Sequence, residues 1–175
     1  MSKKRIASFD VDQTLLDHKT YQIPESALKA VNELRKDFYI VLSTGRDMDN
    51  YYSKQYRDVI QPDAVIHLNG TKITVGGELI YEHEMDRTLL KEILDYADKA
   101  GYALGVTIGN EDYYLHPEVV EETDRLRWGR SERRFKDPRS LLDQGVRTLA
   151  YIGKEDGAMD MEKRFPQLKF LMFAG

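Results

Sequence analysis

The chain has 175 residues, 41% hydrophobic and 32% charged, with a formal net charge of −4 and no cysteine. That balance excludes a disordered chain, and no apolar stretch approaches the roughly 20 residues that cross a bilayer, so no membrane association is expected. The lack of cysteine excludes disulfides, thiolate metal sites and cysteine nucleophiles, leaving oxygen or histidine to hold any metal; the negative charge argues against nucleic acid as a partner.

The opening MSKKRIASFD is basic but reaches an aspartate too soon for a signal peptide, which places the protein in the cytoplasm. RIASFDV at 5–11 reads as a short buried strand. Residues 24–37 read as a helix, with Ala27, Leu28, Val31 and Leu34 at helical spacing and Pro24 at its start. FYIVLST at 38–44 is a second buried strand ending at Gly45-Arg46. Polar residues then run through a helix to Ile60, and DAVIHL at 63–68 is a third strand ending at Asn69-Gly70. Strand and helix alternating in this way predict a parallel sheet built by right-handed crossovers, with ligands bound beyond the carboxyl ends of the strands. Asp10/Asp12, Ser43-Thr44-Gly45-Arg46 and Asn69-Gly70 all fall at such ends.

After about residue 80 the rhythm changes. A helix is predicted over 86–100, capped by Asp86 and stopped by Gly101, followed by a hairpin of 102–108 and 112–116 joined at Gly109-Asn110. Residues 117–145 are charged and helical in part. A strand at 147–153, a helix at about 157–165 and a strand at 168–173 complete a second, α+β domain. The expected division is residues 1–80 and 81–175.

An aspartate at a strand tip can attack phosphorus and form an aspartyl-phosphate. A second, two residues on, can protonate the leaving oxygen and later deprotonate water. Two carboxylates beside a phosphate dianion call for a hard cation such as Mg2+. Thr44 could donate its hydroxyl and N–H to phosphoryl oxygens. Asp-x-Asp alone recurs by chance; the apolar strand before it and STGR at the next strand end give it weight.

FDVDQTLL, then VLSTGR and HLNG, resembles the haloacid dehalogenase-like (HAD) superfamily, specifically its Cof-type phosphatases, over about residue 4 to the end. The resemblance implies a fold class of α/β type: a partial Rossmann-like parallel-sheet core with an inserted α+β cap domain. It implies Asp10 as nucleophile, Asp12 as general acid-base with its backbone carbonyl toward Mg2+, and Asp10 and Asp12 as the metal residues. Thr44 would bind phosphate, Gly45 and Arg46 would continue that motif, and Asn69 and Gly70 would border the substrate, a small phosphorylated metabolite such as a sugar phosphate.

The chain departs from the family in two places. Gln13 stands where glycine is usual, at a sharp bend. Cof-type members also return from cap to core with a lysine and a Gly-Asp…Asn-Asp motif, whereas this chain stops at Gly175. The expectation is a chain truncated after the cap, impaired or inactive for want of those groups, with an apolar core edge and face open to self-association. The competing reading is a non-catalytic remnant serving as a binding module. Asp156 and Asp160 imitate the later acidic motif, but Lys154 stands where its first aspartate belongs, and the cap assignment fits this segment better. The six arginines from Arg125 to Arg139 follow a run of acids and are expected to form a solvated, internally paired face. The four histidines have no metal-ligand spacing; His18 falls close to the aspartate motif.

Overall fold

The computed structural model describes residues 4–17 and 19–171, so His18 and the end of the strand expected over 168–173 lie outside the described residues. The chain divides into two compact units, Met1–Glu84 and Met85–Gly175.

In the first unit, strands β1 (Arg5–Phe9), β2 (Phe38–Ser43) and β3 (Ala64–His67) are parallel, linked by helices α1 (Glu25–Leu34) and α2 (Lys54–Ile60). The apolar stripe of α1 sets Val31 against Ile40 and Leu42, and α2 adds Tyr56 and Ile60 to the same cluster. Ile40 and Leu42 are fully buried, each contributing about 1.5–3 kcal/mol by removal from water. Gln61 adopts a left-handed φ of 51°, which ends α2.

Two further strands, β4 (Lys72–Val75) and β5 (Glu78–Glu82), extend the sheet antiparallel to the order β1-β2-β3-β4-β5. They were not anticipated, although the turn is legible. Gly76 and Gly77 both have positive φ, 58° and 85°, which a two-residue hairpin turn requires and glycine supplies without steric cost.

The expected burial of β1 is not found. Ile6 is 69% exposed, and of β1 only Ala7 and Phe9 are partly covered. The reason is topological: β1 has one neighbour, β2, and both helices of the unit pack against the opposite face of the sheet.

The second unit begins with helix α3 (Arg87–Ala100). Asp86 caps it, accepting from the Leu89 N–H at 2.9 Å, and Gly101 stops it at a φ of 74°. Strands β6 (Ala103–Ile108) and β7 (Glu111–Tyr114) form the hairpin; helix α4 (Pro117–Trp128), strands β8 (Phe135–Lys136) and β9 (Ala150–Ile152) and helix α5 (Glu155–Arg164) follow. The sheet order is β8-β7-β6-β9. Residues 168–171 form no strand; the Phe170 N–H instead donates to Glu162 Oε1 at 2.6 Å. Leu90, Ile93, Leu94, Leu104, Leu141 and Met161 make the core. Together the sequence folds as a mixed α/β chain with a Rossmann-like first unit and an α+β second unit.

Candidate active site

The site grows from the carboxyl ends of β1, β2 and β3. Asp10 directly follows β1 and is exposed, with no hydrogen bond to its carboxylate among the described residues. One residue on, Val11 is fully buried and its carbonyl accepts from the N–H groups of Thr14, Leu15 and Leu16 at 3.4, 3.1 and 2.8 Å. This tight knot forces Gln13 to a φ of 60°, the left-handed conformation anticipated at the bend where the family resemblance expects glycine.

Asp12 sits inside the knot and faces Arg46. Its Oδ2 accepts from Arg46 Nε and its Oδ1 from Arg46 Nη2, both at 2.7 Å. Burial opposes charge on Arg46, yet the Asp12 hydrogen bonds and the nearby charges of Asp12 and Asp10 outweigh it and raise the guanidinium pKa. Arg46 therefore stays cationic and ties the loop after β2 to the loop after β1.

Thr44 is buried; its N–H donates to Ile66 O at 3.0 Å, and its Oγ1 accepts from the Arg46 N–H at 3.1 Å. The loops after β2 and β3 are joined twice, Asn69 N–H to Thr44 O at 3.1 Å and Leu68 N–H to Arg46 O at 3.2 Å. To reach this register Leu68, Asn69 and Gly70 take successive positive φ values of 51°, 56° and 96°. Gly45 lies close to Asn69: a Cβ there would sit 3.2 Å from Asn69 Oδ1, so a larger residue would need that amide to shift. All the residues expected at the site are thus carried on three adjoining strand-end loops.

A second polar group was not foreseen. Asp47, Asp49 and His67 lie close enough together for one ion. His67 is fully buried; its Nδ1 accepts from the Met48 N–H at 3.1 Å, and its Nε2 lies 3.0 Å from Thr74 Oγ1. Lys72 Nζ already bridges Asp47 Oδ1 at 3.1 Å and Asp49 Oδ2 at 2.6 Å. Burial would raise the Asp47 pKa, but His67, the Asp49 N–H and Lys72 prevail and hold it well below the usual carboxylate range. No spacing rule links Asp47 and Asp49, on the loop after β2, to His67 on β3 and Lys72 on β4, so only the fold reveals the group.

A groove of about 440 Å³ is lined by Asp49, Arg57, Asp58, Asp63 and Thr74, among others; it takes in Asp49 of the second polar group and none of the residues expected at the strand ends. In the second unit, Asp160 accepts from Tyr96 and Tyr102 hydroxyls at 2.7 and 2.8 Å, a packing role rather than a metal-ligand one. The arginine cluster is largely paired within the unit: Arg125 with Glu121, Arg130 with Glu132, Arg139 with Asp95 and Asp98, and Arg133 with the buried Asp112 and Asp124.

Comparison with known proteins gives one family. The model described as haloacid dehalogenase-like hydrolase matches residues 7–172. Among solved structures, a hypothetical protein from Geobacillus kaustophilus matches with a TM-score of 0.80 and 20% identity over 98% of this chain and 66% of its own. A HAD-superfamily phosphatase from Bacteroides thetaiotaomicron matches at 0.81 and 19% identity, over 98% of this chain and 64% of its own. A subclass IIB sugar phosphatase matches at 0.71 and 22% identity, over 94% and 64%. The chain thus spans about two thirds of the length of these structures. No curated protein matches it.

Proposed function

Because the chain belongs to the haloacid dehalogenase-like hydrolases, we propose that it is built for magnesium-dependent phosphomonoester hydrolysis through an aspartyl-phosphate on Asp10, in the cytoplasm, on a small phosphorylated metabolite such as a sugar phosphate. The observation that carries this reading is the exposed Asp10 carboxylate at the tip of β1, beside a clamped Asp12 and a Thr44 fixed at the next strand end. Asp10 is unencumbered and can attack phosphorus, releasing the alkoxide; Asp12 is the group to protonate it and then to activate water. The second unit is then the cap, bearing residues that choose the leaving group.

The donor chemistry fits a hard cation. Asp10 offers exposed carboxylate oxygens, and Asp12, its side chain held by Arg46, would offer its backbone oxygen. When bound, Mg2+ would screen the negative charge of phosphate from that of Asp10. The Asp47/Asp49/His67 group is the weaker candidate, because the Lys72 ammonium already compensates both of its carboxylates.

One observation favours a second reading, phosphate binding without turnover. Both Asp12 oxygens accept from Arg46, an engagement that competes with proton transfer on that carboxylate. Assay of this chain with a chromogenic aryl phosphate, with and without Mg2+ and beside Asp10→Asn, separates the two. Turnover that needs Mg2+ and Asp10 supports the enzyme; orthovanadate binding without turnover supports the binding module; neither result sinks both.

A further inference from the structure

We propose that His67 and Lys72 are positioning residues for the candidate site: acting through the loop after β2, they fix where Thr44 and Arg46 stand. The proposal deepens the hydrolase reading and rests on it. Its carrying observation is that the loop after β2 is fastened along its length to the end of β3 and the start of β4. Thr44 N–H donates to Ile66 O at 3.0 Å, Met48 N–H to His67 Nδ1 at 3.1 Å, Leu68 N–H to Arg46 O at 3.2 Å and Asn69 N–H to Thr44 O at 3.1 Å. Lys72 Nζ completes the series on Asp47 Oδ1 at 3.1 Å and Asp49 Oδ2 at 2.6 Å. Three of these fastenings run backbone to backbone; only His67 and Lys72 hold the loop by side chain.

The two act from one place. His67 and Lys72 are directly opposed in the antiparallel pairing of β3 with β4, so both side chains rise from the same face of the sheet. His67 is fully buried, and with Met48 N–H at one ring nitrogen and Thr74 Oγ1 at 3.0 Å from the other its ring is held in one orientation. The Lys72 side chain is largely buried too, and its ammonium balances Asp47 and Asp49 as a bound cation would.

The turn between the strands needs such anchorage. Leu68, Asn69 and Gly70 take successive positive φ values, disfavoured for a bulky residue such as Leu68, and backbone of that kind persists where its surroundings over-determine it. The anchorage serves Arg46, whose N–H donates to Thr44 Oγ1 and whose guanidinium forks Asp12. Met48, two residues on, is fully buried. Without the His67 acceptor its N–H is left unpaired away from water, and the loop carrying Thr44 and Arg46 must shift to satisfy it. A misplacement of about 1 Å in a group that orients substrate has a large effect.

Two measurements test this: calorimetric titration with orthovanadate and Mg2+, and the Arg46 Nε–H cross-peak in 15N NMR, which reports the fork to Asp12 without any ligand. His67→Leu, which fills the space but offers no acceptor, and Lys72→Met should each weaken orthovanadate binding about tenfold and shift the cross-peak. His67→Asn, whose Oδ1 offers an acceptor near the place of Nδ1, should recover most of both. Val31→Ala, at a buried position of α1, lowers stability away from the loop and should change neither. Parent-like affinity and cross-peak in His67→Leu and Lys72→Met overturn the proposal, as does an equal change in Val31→Ala or a failure of His67→Asn to rescue. If the parent binds no orthovanadate, the hydrolase reading falls and the cross-peak decides alone: moved by His67→Leu and not by Val31→Ala it upholds the anchorage of Arg46, and unmoved it overturns it.

Discussion

Arg46 grips Asp12 as a fork, Nε and Nη2 each 2.7 Å from a different carboxylate oxygen. Lysine keeps the charge but not the planar fork. Arg46→Lys is therefore expected to cost about 1 kcal/mol of stability, in keeping with a pair that is about one third exposed. Urea unfolding of Arg46→Lys, Asp12→Asn and the double variant forms a cycle whose coupling term should be about 1 kcal/mol; additivity of the single effects would show that the fork contributes nothing.

The turn at Gln13 carries a measurable strain. A non-glycine residue at a φ of 60° is disfavoured by about 1–2 kcal/mol, against the extra chain entropy that glycine loses. Gln13→Gly should stabilise the protein by about 0.5–1 kcal/mol, and Gln13→Val, β-branched, should destabilise it. Denaturant midpoints measure both; a destabilised Gln13→Gly would show that the glutamine side chain itself supports the loop.

Gly45 and Asn69 fit closely enough that an added methyl group would need the Asn69 amide to shift. With a Cβ 3.2 Å from Asn69 Oδ1, Gly45→Ala must displace the amide and is expected to cost about 1 kcal/mol. Asn69→Ala in the same chain should recover most of that loss in thermal unfolding, because it removes the opposing atom. Failure of the recovery would place the clash elsewhere.

These pairs show what the linear chain could and could not convey. The ends of β1, β2 and β3 were legible because each apolar run stops at a polar or glycine-containing turn, and the bend at Gln13 was legible because it breaks a family pattern. The tie between Asp12 and Arg46 joins residues 34 apart, and no periodicity predicts which acid an arginine will meet. His67 ends a strand whose alternation marks it as buried, but its neighbours Asp47 and Lys72 arrive from the loop after β2 and from β4. The exposure of β1 was misread because an apolar run signals a strand that could be covered on both faces, not one that is.

Asp47 makes the first unit acid-sensitive. Its pKa is lower in the folded state than in the unfolded chain, so its contribution is fully present above the ordinary carboxylate pKa of about 4 and is lost as pH falls toward the folded value. Unfolding free energy should decline through that acidic window, and Asp47→Asn should be less stable at neutral pH with a flatter acid limb. An unchanged limb in the variant would remove Asp47 as its source.

Asp10 is the proposed phosphoryl acceptor. The direct measurement is acid quenching of the chain during reaction with an aryl phosphate and Mg2+, followed by peptide mass spectrometry. The predicted result is a phosphoryl adduct on the peptide containing Asp10, absent from Asp10→Asn. Turnover without that adduct at any quench time, or an equal adduct in Asp10→Asn, would contradict it.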